Sequence, residues 1–153
     1  MTIRLSTGLR TAIMGTGGGL STVLANGVME IYTGSQPASA DAAVTGTLLG
    51  TVTLNSGAFT PGVATNGLTW ADAVNGVASK STSVWSFNGI AAGTAGWFRL
   101  KGNAPDAGAL STTLPRIDGS IATSGGDISM SNITVAVGAP NTIDAFTMTL
   151  PAQ

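Results

Sequence analysis

Apolar residues recur at helical spacing at the start of the chain and at strand spacing through most of the remainder. Leu5, Leu9 and Ile13 stand four apart, and Ser6 or Thr7 is placed to cap the helix they predict. Gly15 to Gly19 ends that segment. Leu20, Val23 and Leu24 share one face of a second short helical stretch over residues 20–25, and Asn26-Gly27 stops it, because both tolerate positive φ. From Val28 the pattern changes to short runs rich in β-branched and aromatic residues: 28–33, 48–54, 68–70, 84–87, 97–101 and 116–122. Residues 128–137 alternate but change phase near Asn132, which predicts a bulge or break. Residues 144–150 alternate with Phe146, Met148 and Leu150 inward. Asn66-Gly67, Asn75-Gly76, Asn88-Gly89, Asp118-Gly119 and Gly125-Gly126 read as turns between runs.

Many short strands without long intervening helices predict a mainly β fold. We expect an antiparallel β-sandwich or β-barrel with a short N-terminal helical segment. Two parts are expected: an N-terminal helical arm over 1–27 and a β domain over 28–153. The domain already has enough strands to close on itself, which leaves the arm free to dock on a neighbouring subunit. Leu5, Leu9 and Ile13 are its candidate interface stripe, and Trp97 is a further candidate interface residue. No fixed repeat emerges, which argues against a solenoid.

Composition narrows the function more than any motif does. Charged residues make up 8% of the chain, against about 25% in an ordinary soluble domain. There are six Lys and Arg, seven Asp and Glu, and no His or Cys. The mean hydropathy is +0.35 and the pI about 4.9. A surface so poor in charge lacks the repulsion that keeps monomers apart, so we expect a component of an assembly. No basic field exists to hold nucleic acid. The longest uncharged stretch, 42–71, is interrupted throughout by Gly, Thr, Ser and Asn, so no membrane span is expected. Glycine also breaks the apolar part of a signal peptide that would end near Val23-Leu24-Ala25.

Without His, the usual general base, the Ser-His-Asp relay and imidazole metal ligation are all missing. Without Cys there is no thiolate site and no disulfide framework. The acids are Glu30, Asp41, Asp72, Asp106, Asp118, Asp127 and Asp144. A glycosidase needs two of them across a cleft. Asp118 in an Asp-Gly turn, Asp127 after Gly-Gly and Asp41 in Ala-Ser-Ala-Asp each have a turn or cap role instead. Residues 118–127 place two acids in a Gly/Ser-rich loop but lack the spacing of known calcium loops. Gly15-Thr16-Gly17-Gly18-Gly19 lacks the Lys of a phosphate loop and reads as a hinge. Asn132-Ile133-Thr134 matches a glycosylation acceptor but lies in a predicted strand. Trp70, Trp85 and Trp97, with Tyr32, suit either a core or a sugar-stacking platform. We therefore expect no catalytic, cofactor-binding or metal-binding residues.

Four stretches, 3–10, 34–41, 92–99 and 118–125, resemble a group of small structural proteins of tailed bacteriophages and prophages. The resemblance implies a virion component and lends no catalytic residues. The expectation is a capsid decoration or cement protein in the virion, meeting itself or the major capsid protein. A head–tail or tail component and a glycan- or receptor-binding β module are the alternatives. Exposed aromatics would favour the glycan reader, and buried ones the shell protein.

Overall fold

The structure is a computed structural model in which residues 3–149 are described. It is mainly β, with antiparallel sheets and two short helices. The chain runs β1 (Arg4–Leu5), α1 (Thr7–Met14), α2 (Leu20–Val23), β2 (Val28–Thr33), β3 (Leu48–Leu54), β4 (Val77–Ser79) and β5 (Trp85–Asn88). It continues through β6 (Gly93–Lys101), β7 (Arg116–Ala122), β8 (Ile128–Ser129), β9 (Thr134–Val135), β10 (Pro140–Ile143) and β11 (Thr147–Thr149). The main sheet has the order β1-β7-β6-β2-β3-β5-β10, with β8 added to β7 and β9 to β6; β4 and β11 form a separate ribbon. The order ends at β1 and at β10 without closing, so among the described residues the arrangement is sandwich-like rather than a closed barrel.

Alternation explains the apolar side. Met29 and Ile31 of β2, Phe98 and Leu100 of β6, and Ile117 and Ile121 of β7 point into one core. Trp85, Phe87 and Phe146 cover them. Phe98 meets Phe146 edge-on at 5.6 Å between ring centroids. Trp85 lies 6.2 Å from Phe146, so β5 and the segment entering β11 contribute to one aromatic cluster. Predicted runs 28–33, 48–54 and 116–122 coincide with β2, β3 and β7. The phase change near Asn132 is a break between β8 and β9. Residues 68–70 form isolated bridges instead of a strand, Gly27 with Leu68 and Trp70 with Lys80. Phe146 is buried and Met148 half-buried, as expected, while Leu150 lies outside the described residues.

The N-terminal segment is not a free arm. β1 pairs with β7, joining Arg4 to Asp118 and Leu5 to Ile117. Ser6 caps α1 as predicted, its hydroxyl accepting from the Leu9 N–H at 3.1 Å. The same hydroxyl donates to the Leu114 carbonyl at 2.8 Å and accepts from the Arg116 N–H at 2.9 Å. One donor and two lone pairs are thereby all used. Asp41 holds the helix start from another loop, accepting from the Thr7 N–H at 2.7 Å and the Thr7 hydroxyl at 2.6 Å. Gly8 lets α1 approach so closely that a Cβ there would lie 2.3 Å from the Thr113 carbonyl. Leu9 and Leu24 are fully buried in the common core, and Leu5 and Ile13 pack against it. The expected boundary at residue 27 therefore divides one fold. Leu9 cannot serve as an interface residue, because this chain covers it completely.

Candidate functional site

The chain concentrates its charge on the opposite face of the main sheet. Strand register aligns Glu30 of β2 with Arg99 of β6, Arg99 with Asp118 of β7, and Asp118 with Arg4 of β1. This is a row of alternating sign across four strands. The neighbouring row places Lys101 opposite Arg116, a like-charged pair. That conflict is relieved because Lys101 pairs with Glu30 at 2.6 Å and Arg116 with Asp106 at 2.6 Å. Asp106 arrives from the loop between β6 and β7.

These pairs are buried. Arg99 and Asp118 have side chains 0% exposed and share two hydrogen bonds of 2.7 Å, Nε to Oδ1 and Nη2 to Oδ2. Arg116 is equally bidentate, with Nε donating to Oδ2 of Asp106 at 2.7 Å and Nη2 to Oδ1. The remaining donors reach loop carbonyls. Arg99 Nη1 donates to Ala42 at 3.0 Å and Arg116 Nη2 to Ala109 at 2.8 Å. Lys101 Nζ donates to the Asp106 carbonyl at 2.8 Å, and Arg4 Nη1 to that of Pro37. The cations thus pin the 34–47 and 102–115 loops onto the sheet.

Tyr32 and Trp97 form the next row. Their rings stack 4.7 Å apart at 15°, with the Arg99 guanidinium 5.6 Å from the indole centroid. Trp97 is fully buried, so the candidate interface residue is internal. Trp85 is fully buried too, and neither indole N–H finds a partner among the described residues. Trp70 alone of the three tryptophans is half-buried.

Asp118 does not sit in a turn, as its Asp-Gly dipeptide predicted. It lies inside β7, where burial pushes its carboxyl up against the opposing pull of Arg99. Burial also acts to raise Asp106, but bonds from Arg116 and the Gly108 N–H, with the charge of Lys101, outweigh it and hold the carboxyl low. Asp41 is likewise held low: its bonds from Thr7 and the charges of Arg10 and Arg116 overcome desolvation. Asp127 has the expected local role, accepting from the Ser120 N–H and hydroxyl at 2.8 and 2.9 Å. Among the described residues, no three carboxylates gather in a way that would hold a metal ion.

Beside the charged row lies a cleft of about 350 Å³ lined by Glu30, Thr51, Phe59, Lys101 and Asp106 among others. Its ionic wall is engaged in pairs, so it offers neither a free general base nor a free cation. Sequence reasoning missed this cluster. The available signal was that Glu30, Arg99, Lys101, Arg116 and Asp118 sit at alternate positions of strands whose other face is apolar.

Tyr32 provides a test of how tightly this face is closed. Burial raises its phenol pKa, and the 2.6 Å bond to Glu30 and that carboxylate's charge raise it further, against the opposing pull of Arg99. The folded pKa lies above the ordinary value of 10.0. Its stabilisation is therefore complete below that value and is lost as pH rises toward the folded pKa, because only the unfolded chain releases the proton. The chain has one tyrosine, so phenolate absorbance reports this residue alone. The expected signal is flat through pH 10 and appears together with loss of near-ultraviolet dichroism. A normal phenol titration in the folded protein would show that the face is open.

No protein family, curated protein or solved structure matches the chain.

Proposed function

We propose that this protein is a non-enzymatic bacteriophage virion component that decorates or cements the capsid, acting through neutral contacts with its own copies or with the major capsid protein. The observation that carries this reading is where the charge lies. Of six basic and seven acidic residues, only Arg10, Asp72 and Asp144 are exposed. The groups that enzymes use for acid–base work are mostly paired or bound to loops inside the fold.

The outer surface is made largely of small neutral residues with some exposed apolar side chains. Ile90 and Val137 are 62% and 69% exposed. They adjoin Gly89 and Gly138, whose backbones are joined by the Gly138 N–H donating to the Gly89 carbonyl at 2.7 Å. The burial of Tyr32, Trp85 and Trp97 supports a structural role over a broad aromatic platform. Function would be passive. Shell contacts would contribute about 25 cal/mol per Å² of apolar area, and repetition would add avidity.

The test is association across ionic strength, followed by sedimentation and by binding to purified particles. Self-association or particle binding that changes little between low and high salt is expected, because few surface charges exist to be screened. Hundreds of copies per particle would place the protein in the shell. A strict monomer that binds no particle, or binding that collapses at moderate salt, would overturn the reading.

A further inference from the structure

We infer that the open cleft around Trp70 is a binding site for a neutral, hydroxyl-rich ligand of the saccharide class. The cleft has a volume of about 420 Å³ and is lined by Ser21, Thr22, Asn26, Trp70 and Asp72 among others, several of the rest being alanine. Ligand pockets commonly span about 300–1,000 Å³.

Two independent features set this cleft apart. The first is Trp70. Its indole is edge-on to Trp85 at 5.5 Å and tilted against Phe146 at 5.9 Å. The core therefore fixes the ring while leaving it half-buried. Its N–H reaches the Leu24 carbonyl at 3.4 Å, which further sets the ring plane. A rigid, half-buried indole in the cleft lining offers aromatic surface to the C–H groups of a pyranose at little entropic cost.

The second feature is the polar rim. Asp72 is one of the few exposed charges, and it has no ion pair or hydrogen bond among the described residues. Elsewhere the chain pairs nearly every carboxylate with a cation or a donor. A carboxylate accepts from two adjacent hydroxyls at once, and the Asn26 amide and the Ser21 and Thr22 hydroxyls both donate and accept. No cation lines the cleft, so an anion would meet Asp72 without compensation. Mixed donors and acceptors around one aromatic ring match an uncharged polyol.

The site does not depend on assembly, so the isolated protein suffices for the test and its result is separate from that of the virion reading. Methyl glycosides of glucose, galactose, mannose and N-acetylglucosamine would be titrated while tryptophan fluorescence and amide chemical shifts are followed. Inorganic phosphate serves as the anionic probe. Saturable binding of at least one glycoside is expected, with shifts confined to residues 21–26 and 68–73. Asp72→Ala should weaken it by at least about tenfold, the loss of charge-assisted hydrogen bonds. The melting temperature should be unchanged, since Asp72 is exposed and unpaired. Trp70→Phe should also weaken binding through a smaller stacking face. Absence of saturable binding by every glycoside, tighter binding of phosphate, or unchanged affinity in Asp72→Ala would overturn the inference.

Discussion

Replacing Arg99 with methionine is expected to destabilise the protein by about 3–5 kcal/mol. That is a large share of the roughly 5–15 kcal/mol that holds a typical domain together. Asp118 would keep its carboxylate at 0% exposure with its two 2.7 Å bonds gone. The Ala42 carbonyl would lose its anchor as well, freeing part of the 34–47 loop. The pH dependence identifies the cause. Without its guanidinium, the buried Asp118 carboxyl is driven further above its ordinary value of 3.8. A raised folded pKa stabilises the fold fully below the unfolded value and loses that contribution as pH rises. The deficit of Arg99→Met relative to the parent should therefore shrink in acid. The double variant Arg99→Met/Asp118→Leu should recover most of the stability, because it removes both desolvation penalties. Urea denaturation of the parent, both singles and the double gives the coupling energy. A loss below about 1 kcal/mol in Arg99→Met, constant with pH, would mean that the pair is solvated and the loops do not seal this face.

Deletion of residues 2–16 is expected to abolish cooperative folding of the isolated chain. The segment supplies the edge strand β1 and the fully buried Leu9. It also supplies the Ser6 hydroxyl, which satisfies the Leu9 and Arg116 N–H groups and the Leu114 carbonyl. Truncating one buried leucine costs about 2–5 kcal/mol. The deletion removes that contact together with a strand and a capped helix. Leu9→Ala measures the smaller version, with an expected loss in the same 2–5 kcal/mol range. A deletion variant that melts cooperatively at the parental temperature would restore the idea of a separable arm. The amphipathic stripe of Leu5, Leu9 and Ile13 is equally consistent with docking at home or abroad. The β1–β7 pairing, the burial of Leu9 and the contacts of Ser6, Gly8 and Asp41 decide for home.

Acid should act on the same network from another side. Asp41 and Asp106 are held below their ordinary range, so their stabilisation is present above about pH 4 and disappears as pH falls through their folded values. Asp118 contributes with the opposite sign. With no histidine, no side chain brings an ordinary titration between these carboxylates and the alkaline groups.

Local pattern was enough to locate much of the β framework. The alternation of Met29 and Ile31, or of Ile117 and Ile121, is a backbone consequence of pleating and is visible wherever one face is apolar. Ser6 was legible as a cap because its hydroxyl acts on an N–H only three residues away. Asn26 was legible as a stop and adopts φ of 56°. The brief pairings β4–β11 and β5–β10 were not legible, because their partners are distant in sequence and their own runs are only three or four residues long. The charged face was missed for a related reason. Alternation tells which side chains share a face of a strand, but not whether that face meets water.

By itself, then, the sequence determined a chain poor in charge and without imidazole or thiol chemistry, and it largely fixed which residues alternate on which strands. Tertiary structure alone decided that the polar face is sealed. The 34–47 and 102–115 loops present backbone carbonyls to Arg4, Arg99, Lys101 and Arg116, and the bonds to the 34–47 loop form only when segments tens of residues apart come together. Tertiary structure also drew the N-terminal helix into the core and left Trp70 and Asp72 together at an open cleft. Those outcomes depend on long-range complementarity of shape and hydrogen bonding, which short-range periodicity does not encode.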